Sequence, residues 1–182
     1  MSGLTTGVAT VSTQLTAGTN AYPTNRGSSG DVLTSDGAGT LTWSTPSGGG
    51  GGVEAVSNSS SGLTGTLNMD FATAQVYHFT ADATGNWTVN FRNDASSTLN
   101  SVMTDGSSLT FVLYAKQGGT ARYNNGWQID GSSKTPKWLG GFGTPSGGHT
   151  NSVDVYTYTI IKTANNDFTI YANQNFYTQG GF

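Results

Sequence analysis

Five consecutive glycines, Gly48 to Gly52, follow Ser47 and divide this chain before any other feature is weighed. A glycine run has no Cβ to restrict its backbone and no side chain to bury. It therefore holds neither a helix nor a stable strand, and serves as a flexible linker or a strip of close approach. Composition changes across it: residues 1–52 hold two aromatics, Tyr22 and Trp43, and the rest of the chain holds eighteen. The expected organisation is an extended arm over 1–46, a glycine-rich linker over 47–52 and a folded domain over 53–182.

The arm is rich in threonine and serine (Thr5, Thr6, Thr10, Ser12, Thr13, Thr16), and β-branched residues favour extended backbone. Its apolar side chains are too sparse for a core. A hairpin is expected over 31–43, where Asp36-Gly37 separates a strand around Val32-Leu33-Thr34 from a return strand ending at Trp43. An isolated two-stranded hairpin is marginal in water. Its apolar residues Val32, Leu33, Leu41 and Trp43, with Tyr22 and Arg26 beside them, are therefore expected to meet another chain.

Beyond the glycines, apolar residues alternate in short runs: Leu67, Met69 and Phe71; Trp87, Val89 and Phe91; Leu109, Phe111 and Leu113; Tyr156, Tyr158 and Ile160; Phe168 and Ile170. Turn formers separate them, among them Asp105-Gly106, Asn124-Asn125-Gly126, Asp130-Gly131 and Asn165-Asn166-Asp167. Period-2 alternation broken by Gly, Asn and Asp predicts an all-β domain, an antiparallel β-sandwich of jelly-roll type with seven or eight strands.

Charge narrows the function. Only 9% of residues are charged, the formal net charge is −3 and the seven basic residues lie scattered. Nucleic-acid binding needs a basic footprint that displaces counterions from phosphates, and none is present. There is no cysteine, so disulfides and thiolate metal sites are excluded. No apolar stretch reaches the length of a membrane helix, so no membrane insertion is expected. The N-terminus lacks the basic and apolar regions of a secretory signal.

Chemistry-bearing residues are few. The two histidines are His78, in a strand-like run, and His149, in His149-Thr150-Asn151-Ser152-Val153-Asp154, which holds the residue types of a triad without a known spacing. No zinc spacing is present, and Asn165-Asn166-Asp167 reads more simply as a turn than as a calcium loop. No catalytic residue, metal or cofactor is expected. Tyr123, Asn124, Trp127 and Trp138 could form a glycan-stacking platform; the competing and preferred reading makes Trp127 and Trp138 core or subunit-interface anchors.

Pro23, Gly27, Gly30, Val32, Leu33, Asp36, Gly37, Gly39, Leu41 and Trp43 together resemble a motif of bacteriophage virion proteins: a Pro, a Gly-x-x-Gly, then Val-Leu-x-x-Asp-Gly-x-Gly-x-Leu-x-Trp. Gln117-Gly118-Gly119-Thr120, Lys137-Trp138-Leu139-Gly140-Gly141 and Val153-Asp154-Val155-Tyr156 resemble a phage particle domain. The resemblance implies a β-sandwich, often a homotrimer, displayed on a virion assembled in the host cytoplasm, and carries no catalytic residues. It leads to the expectation of a non-enzymatic capsid decoration (cement) or head-fibre protein docked on the major capsid protein or another virion protein. The alternative is a tail-fibre or baseplate component binding host glycans. A glycan-active enzyme is disfavoured, because no acid pair is evident.

Overall fold

The structure, a computed structural model of the chain, describes residues 16–17, 20–44, 54–141 and 143–178. The expected linker over 47–52 and the arm before residue 16 lie outside the described residues. The chain forms two compact units, Met1–Val53 and Glu54–Phe182.

In the first unit, β1 (Thr16–Ala17) pairs antiparallel with β2 (Asn20–Ala21), and β3 (Val32–Ser35) with β4 (Leu41–Ser44). The second pair is the hairpin expected from Asp36-Gly37. Ala21 bridges Thr40, so the preceding segment is tied to the hairpin turn.

The second unit is a two-sheet sandwich. Six strands alternate between the sheets: β5 (Val56–Gly62), β6 (Gly65–Asp70), β7 (Val76–Ala81), β8 (Trp87–Arg92), β9 (Ser108–Lys116) and β10 (Asn124–Ile129). Consequently β5, β7 and β9 lie parallel in one sheet, and β6, β8 and β10 lie parallel in the other. The chain thus winds as a flattened coil whose corners stack. Thr84 donates its backbone N–H to Leu63 O, and Ala83 donates to Lys116 O. Leu63 and Ala83, buried at successive corners, plug that end of the core.

The coil is completed by β11 (Ser132–Ser133), β12 (Lys137–Trp138) and a long antiparallel hairpin of β13 (Ser152–Ala164) and β14 (Asp167–Thr178). The large sheet runs β12-β14-β13-β9-β7-β5 and the small one β11-β10-β8-β6. A single-turn helix, α1 (Leu99–Val102), sits in the link from β8 to β9. Thr98 caps it by accepting from Ser101 N–H, and Asp130 accepts from the Leu99 and Asn100 N–H groups.

One core joins the sheets. Tyr77, Phe111, Leu113, Tyr156, Tyr158 and Ile160 face Met69, Trp87, Val89, Phe91, Trp127 and Ile129. Phe91 stacks on Phe111 with centroids 5.3 Å apart and meets Tyr158 edge-on at 5.0 Å. These aromatic contacts add to what area burial alone provides.

The all-β class and the sandwich agree with the sequence reading; the strand pairing is richer than antiparallel. Only β9–β13, β13–β14 and β10–β11 pair antiparallel within this unit, and the coil strands and β12–β14 pair parallel. Alternating burial is common to both kinds of strand, so periodicity could not tell them apart. The strands of this unit number ten among its described residues, because polar β5 and the two-residue β11 and β12 carry no apolar alternation. Asn124-Asn125-Gly126, expected to turn, lies inside β10, where the register shifts between Asn124 and Gly126.

Candidate functional site

The motif residues of the first unit build one object, an exposed indole held in a fixed pose. The β3–β4 register sets Leu33 opposite Trp43 and Ser35 opposite Leu41 on one face of the hairpin. On the other face the Thr34 hydroxyl lies 2.6 Å from Ser44 Oγ and 3.1 Å from the Thr42 carbonyl oxygen. Hydroxyl contacts thus tie the polar face together and leave the apolar face to carry the large side chains.

Trp43 lies across Gly27: a Cβ there would stand 2.7 Å from the indole Cδ2, closer than packing allows. Its Nε1–H donates to the Asn25 carbonyl at 3.0 Å. The surrounding loop is fixed by short-range bonds. Ser28 N–H donates to Asp31 Oδ2 at 2.7 Å, and Gly30 takes a φ of 95°. Asp36 Oδ1 accepts from the Thr40 N–H at 2.9 Å and the Ala38 N–H at 2.7 Å, which holds its carboxyl below the ordinary carboxylate value. Gly37 and Gly39, at φ 76° and 101°, supply the left-handed backbone of the turn. Trp43 nevertheless remains 40% exposed, Leu33 38% and Val32 46%. Arg26 is exposed beside Gly27, and Tyr22 and Leu41 are half-buried. Five of the six residues named from sequence are thus gathered in or beside the hairpin, and Tyr22 follows the Ala21 bridge to its turn. Chemically the arrangement is a preorganised apolar contact, suited to association because the ordering of the indole is already made.

A second cluster brings together His149, Ser152 and Asp154. His149 Nδ1 lies 2.8 Å from Asp154 Oδ1, and its ring stacks on Phe176 at 3.8 Å between centroids. Asp154 is fully buried and accepts the His149 N–H at 3.2 Å; burial pushes its carboxyl above the ordinary value. The Ser152 hydroxyl, however, donates to the His149 carbonyl oxygen at 2.6 Å. A nucleophile must instead face the imidazole nitrogen that receives its proton. These three residues form a buckle at the entrance to β13, a pairing that the sequence spacing alone did not suggest. Gly148 is the available signal: a Cβ there would meet Asp154 Oδ2 at 2.7 Å.

The aromatic platform is corrected by the fold. Asn124 is fully buried and Trp127 is 9% exposed, with Trp127 edge-on to Trp138 at 5.6 Å. Asn124 uses its amide inside the core, donating to Trp87 O and Gly126 O and accepting from the Tyr158 hydroxyl. Tyr123 and Trp138 are half-buried and do not form an open stacking face with them. Alternation in β10 points Trp127 inward, so its core role prevails. Of the turn carboxylates, Asp130 anchors α1. Among the described residues no group of three or more His, Cys, Asp or Glu side chains converges as a metal site would require.

Compared with protein-family models, with curated proteins and with solved structures, the chain matches none.

Proposed function

We propose that this chain is a non-enzymatic structural component of a bacteriophage particle, a capsid decoration or head-fibre protein docked through its N-terminal unit. The observation that carries the reading is the indole of Trp43, clamped by Gly27 and Asn25 yet two-fifths exposed. A side chain oriented with this care and left open is a preformed hot spot, and tryptophan is enriched in such positions. The phage-like motif supplies the kind of partner, because the indole of Trp43 and the Gly27 it lies across both belong to the residues that carry the resemblance. The Ser152 orientation supports a non-enzymatic role. The tail or baseplate alternative loses the aromatic platform that motivated its glycan ligand.

The test is quantitative mass spectrometry of purified particles produced with wild-type or Trp43→Ala protein. The wild-type chain is expected in the particles, and Trp43→Ala is expected to lose ~2–4 kcal/mol of docking energy and most of its occupancy. Wild-type protein missing from particles, or Trp43→Ala retained at full occupancy, overturns the proposal.

A further inference from the structure

The two outer faces of the sandwich differ in kind. On the small sheet the outward residues are Thr66, Asn68 and Asp70, Thr88, Asn90 and Arg92, then Gly126 and Gln128, a polar set suited to water. The Asp70 carboxylate pairs there with Arg92 at 2.6 Å. On the large sheet the register aligns Val56, Val76, Val112 and Thr157 in one lateral row, and Asn58, His78, Tyr114 and Val155 in the next. Strands β5, β7, β9 and β13 present no carboxylate on this face, and the charge they carry there is Lys116, which reaches Asp82 at 3.1 Å; the flanking strands add Lys137, its Nζ 5.5 Å from the Tyr171 ring, and Asp167 at the start of β14, bonded to the Thr163 hydroxyl at 2.9 Å. At the β5 edge, Val56, Val76, His78 and Tyr114 line an open depression of about 300 Å³. Val56 is 48% exposed.

We infer that the outer face of the large sheet is an interface between copies of this chain. Three arguments select a second copy as its occupant. The first is charge: the four strands from β5 to β13 carry no outward carboxylate and meet their own kind with little repulsion, whereas a strongly charged partner would lose hydration and find few counter-charges there. The second is area. The six strands, from two to thirteen residues long, at about 3.4 Å per residue and about 4.8 Å apart cover roughly 800 Å², the size of one side of a standard interface. The third is the size of the competing occupant. The apolar face of the β3–β4 hairpin, two strands of four residues, covers roughly 130 Å² by the same spacing and leaves most of the sheet bare. Twisted sheets pack face to face about 10 Å apart, so the valine and tyrosine rows of two copies can interleave. This inference is independent of particle docking, which concerns the other unit.

The test is sedimentation of the full chain between about 1 and 100 µM, a range in which standard-size interfaces are populated. Wild-type protein is expected to sediment as an oligomer. Val112→Glu, central in the face, and Val56→Glu, at its half-exposed edge, are expected to weaken association roughly a hundredfold or more by burying an unpaired carboxylate. Val56→Glu keeps the test decisive if Val112→Glu disturbs the fold. Asn68→Glu on the polar sheet is expected to change nothing. A wild-type monomer throughout the range, or an oligomer that survives Val56→Glu and folded Val112→Glu, overturns the inference. So does an oligomer that dissociates with Trp43→Ala alone, since the contact would then belong to the N-terminal unit. Particle occupancy is read separately, so this interface and the docking role fail independently.

Discussion

Asn124 holds more of the second unit together than its polarity suggests. Its amide donates to the Trp87 carbonyl at 2.8 Å and the Gly126 carbonyl at 2.9 Å, and accepts from the Tyr158 hydroxyl at 2.9 Å. It thereby joins β8 and β10 to β13 through the middle of the core, and burial raises the Tyr158 hydroxyl well above its ordinary value. Asn124→Ala leaves a buried hydroxyl and a buried carbonyl without their partner, and is expected to cost roughly 3 kcal/mol. Adding Tyr158→Phe to that variant should cost less than the two single changes together, because the stranded hydroxyl goes with it. Urea titration of the three variants checks this; strict additivity would mean that the bond does not couple the sheets. The sequence showed Asn124 plainly, but as a turn former. An asparagine followed by Asn-Gly carries the same local signal in a turn and in an irregular strand, and only the Tyr158 hydroxyl opposite decides between them.

At the scale of elements, the entrance to β13 is fastened by a carboxylate that faces inward. Asp154 lies between Ala115 on β9 and Phe176 on β14, and holds the preceding loop through His149. Burial, the largest effect, pushes its carboxyl above the ordinary value of 3.8, and the His149 hydrogen bonds pull it back in part. A folded-state pKa raised above the unfolded one means that the folded chain takes up this proton first as the pH falls. The contribution of Asp154 to stability is then full below 3.8 and is lost as the pH rises through the folded value. Relative to wild type, Asp154→Asn should therefore gain stability as the pH rises above 3.8 through the raised folded-state value. Chemical denaturation across that window measures the difference; a slope of opposite sign would show that the His149 pairing outweighs burial. The hairpins differ in how openly they announced themselves. Asp36-Gly37 and Asn165-Asn166 marked β3–β4 and β13–β14, and Asn166 takes the φ of 58° that such a turn needs. The entrance to β13 offered only Gly148, whose reason appears once Asp154 lies against it, because the fastening depends on a partner five residues away and on a ring from another strand.

For the whole molecule, the division into Met1–Val53 and Glu54–Phe182 assigns different tasks to different residues. All the buried hydrophobic residues of the core cluster belong to the second unit. A chain of residues 54–182 is therefore expected to melt cooperatively within about 2 °C of the full chain, since a loss of 1 kcal/mol would already shift a domain of this size by more. Calorimetry of the two proteins is the check. A fall of several degrees would place part of the stabilising packing in the first unit.

The sequence by itself determined the class of the fold, the hairpin and the inward faces of β8, β9 and β13. Each follows from neighbours along the chain: a side chain alternates with its own backbone, and an Asp-Gly or Asn-Asn pair bends locally. It also supplied the residues around the exposed indole, though not the reason for Gly27, which is the ring of Trp43 lying against it. Tertiary structure alone decided which strands pair. Successive strands could have joined as hairpins in one sheet; instead they cross between two, because burying both apolar faces against each other removes more surface from water than extending one sheet would. That choice made β5, β7 and β9 parallel, buried Asn124 and Trp127, and aligned Val56, Val76 and Val112 on one outer face. No local pattern contains that alignment, since the three valines come together only when the coil closes.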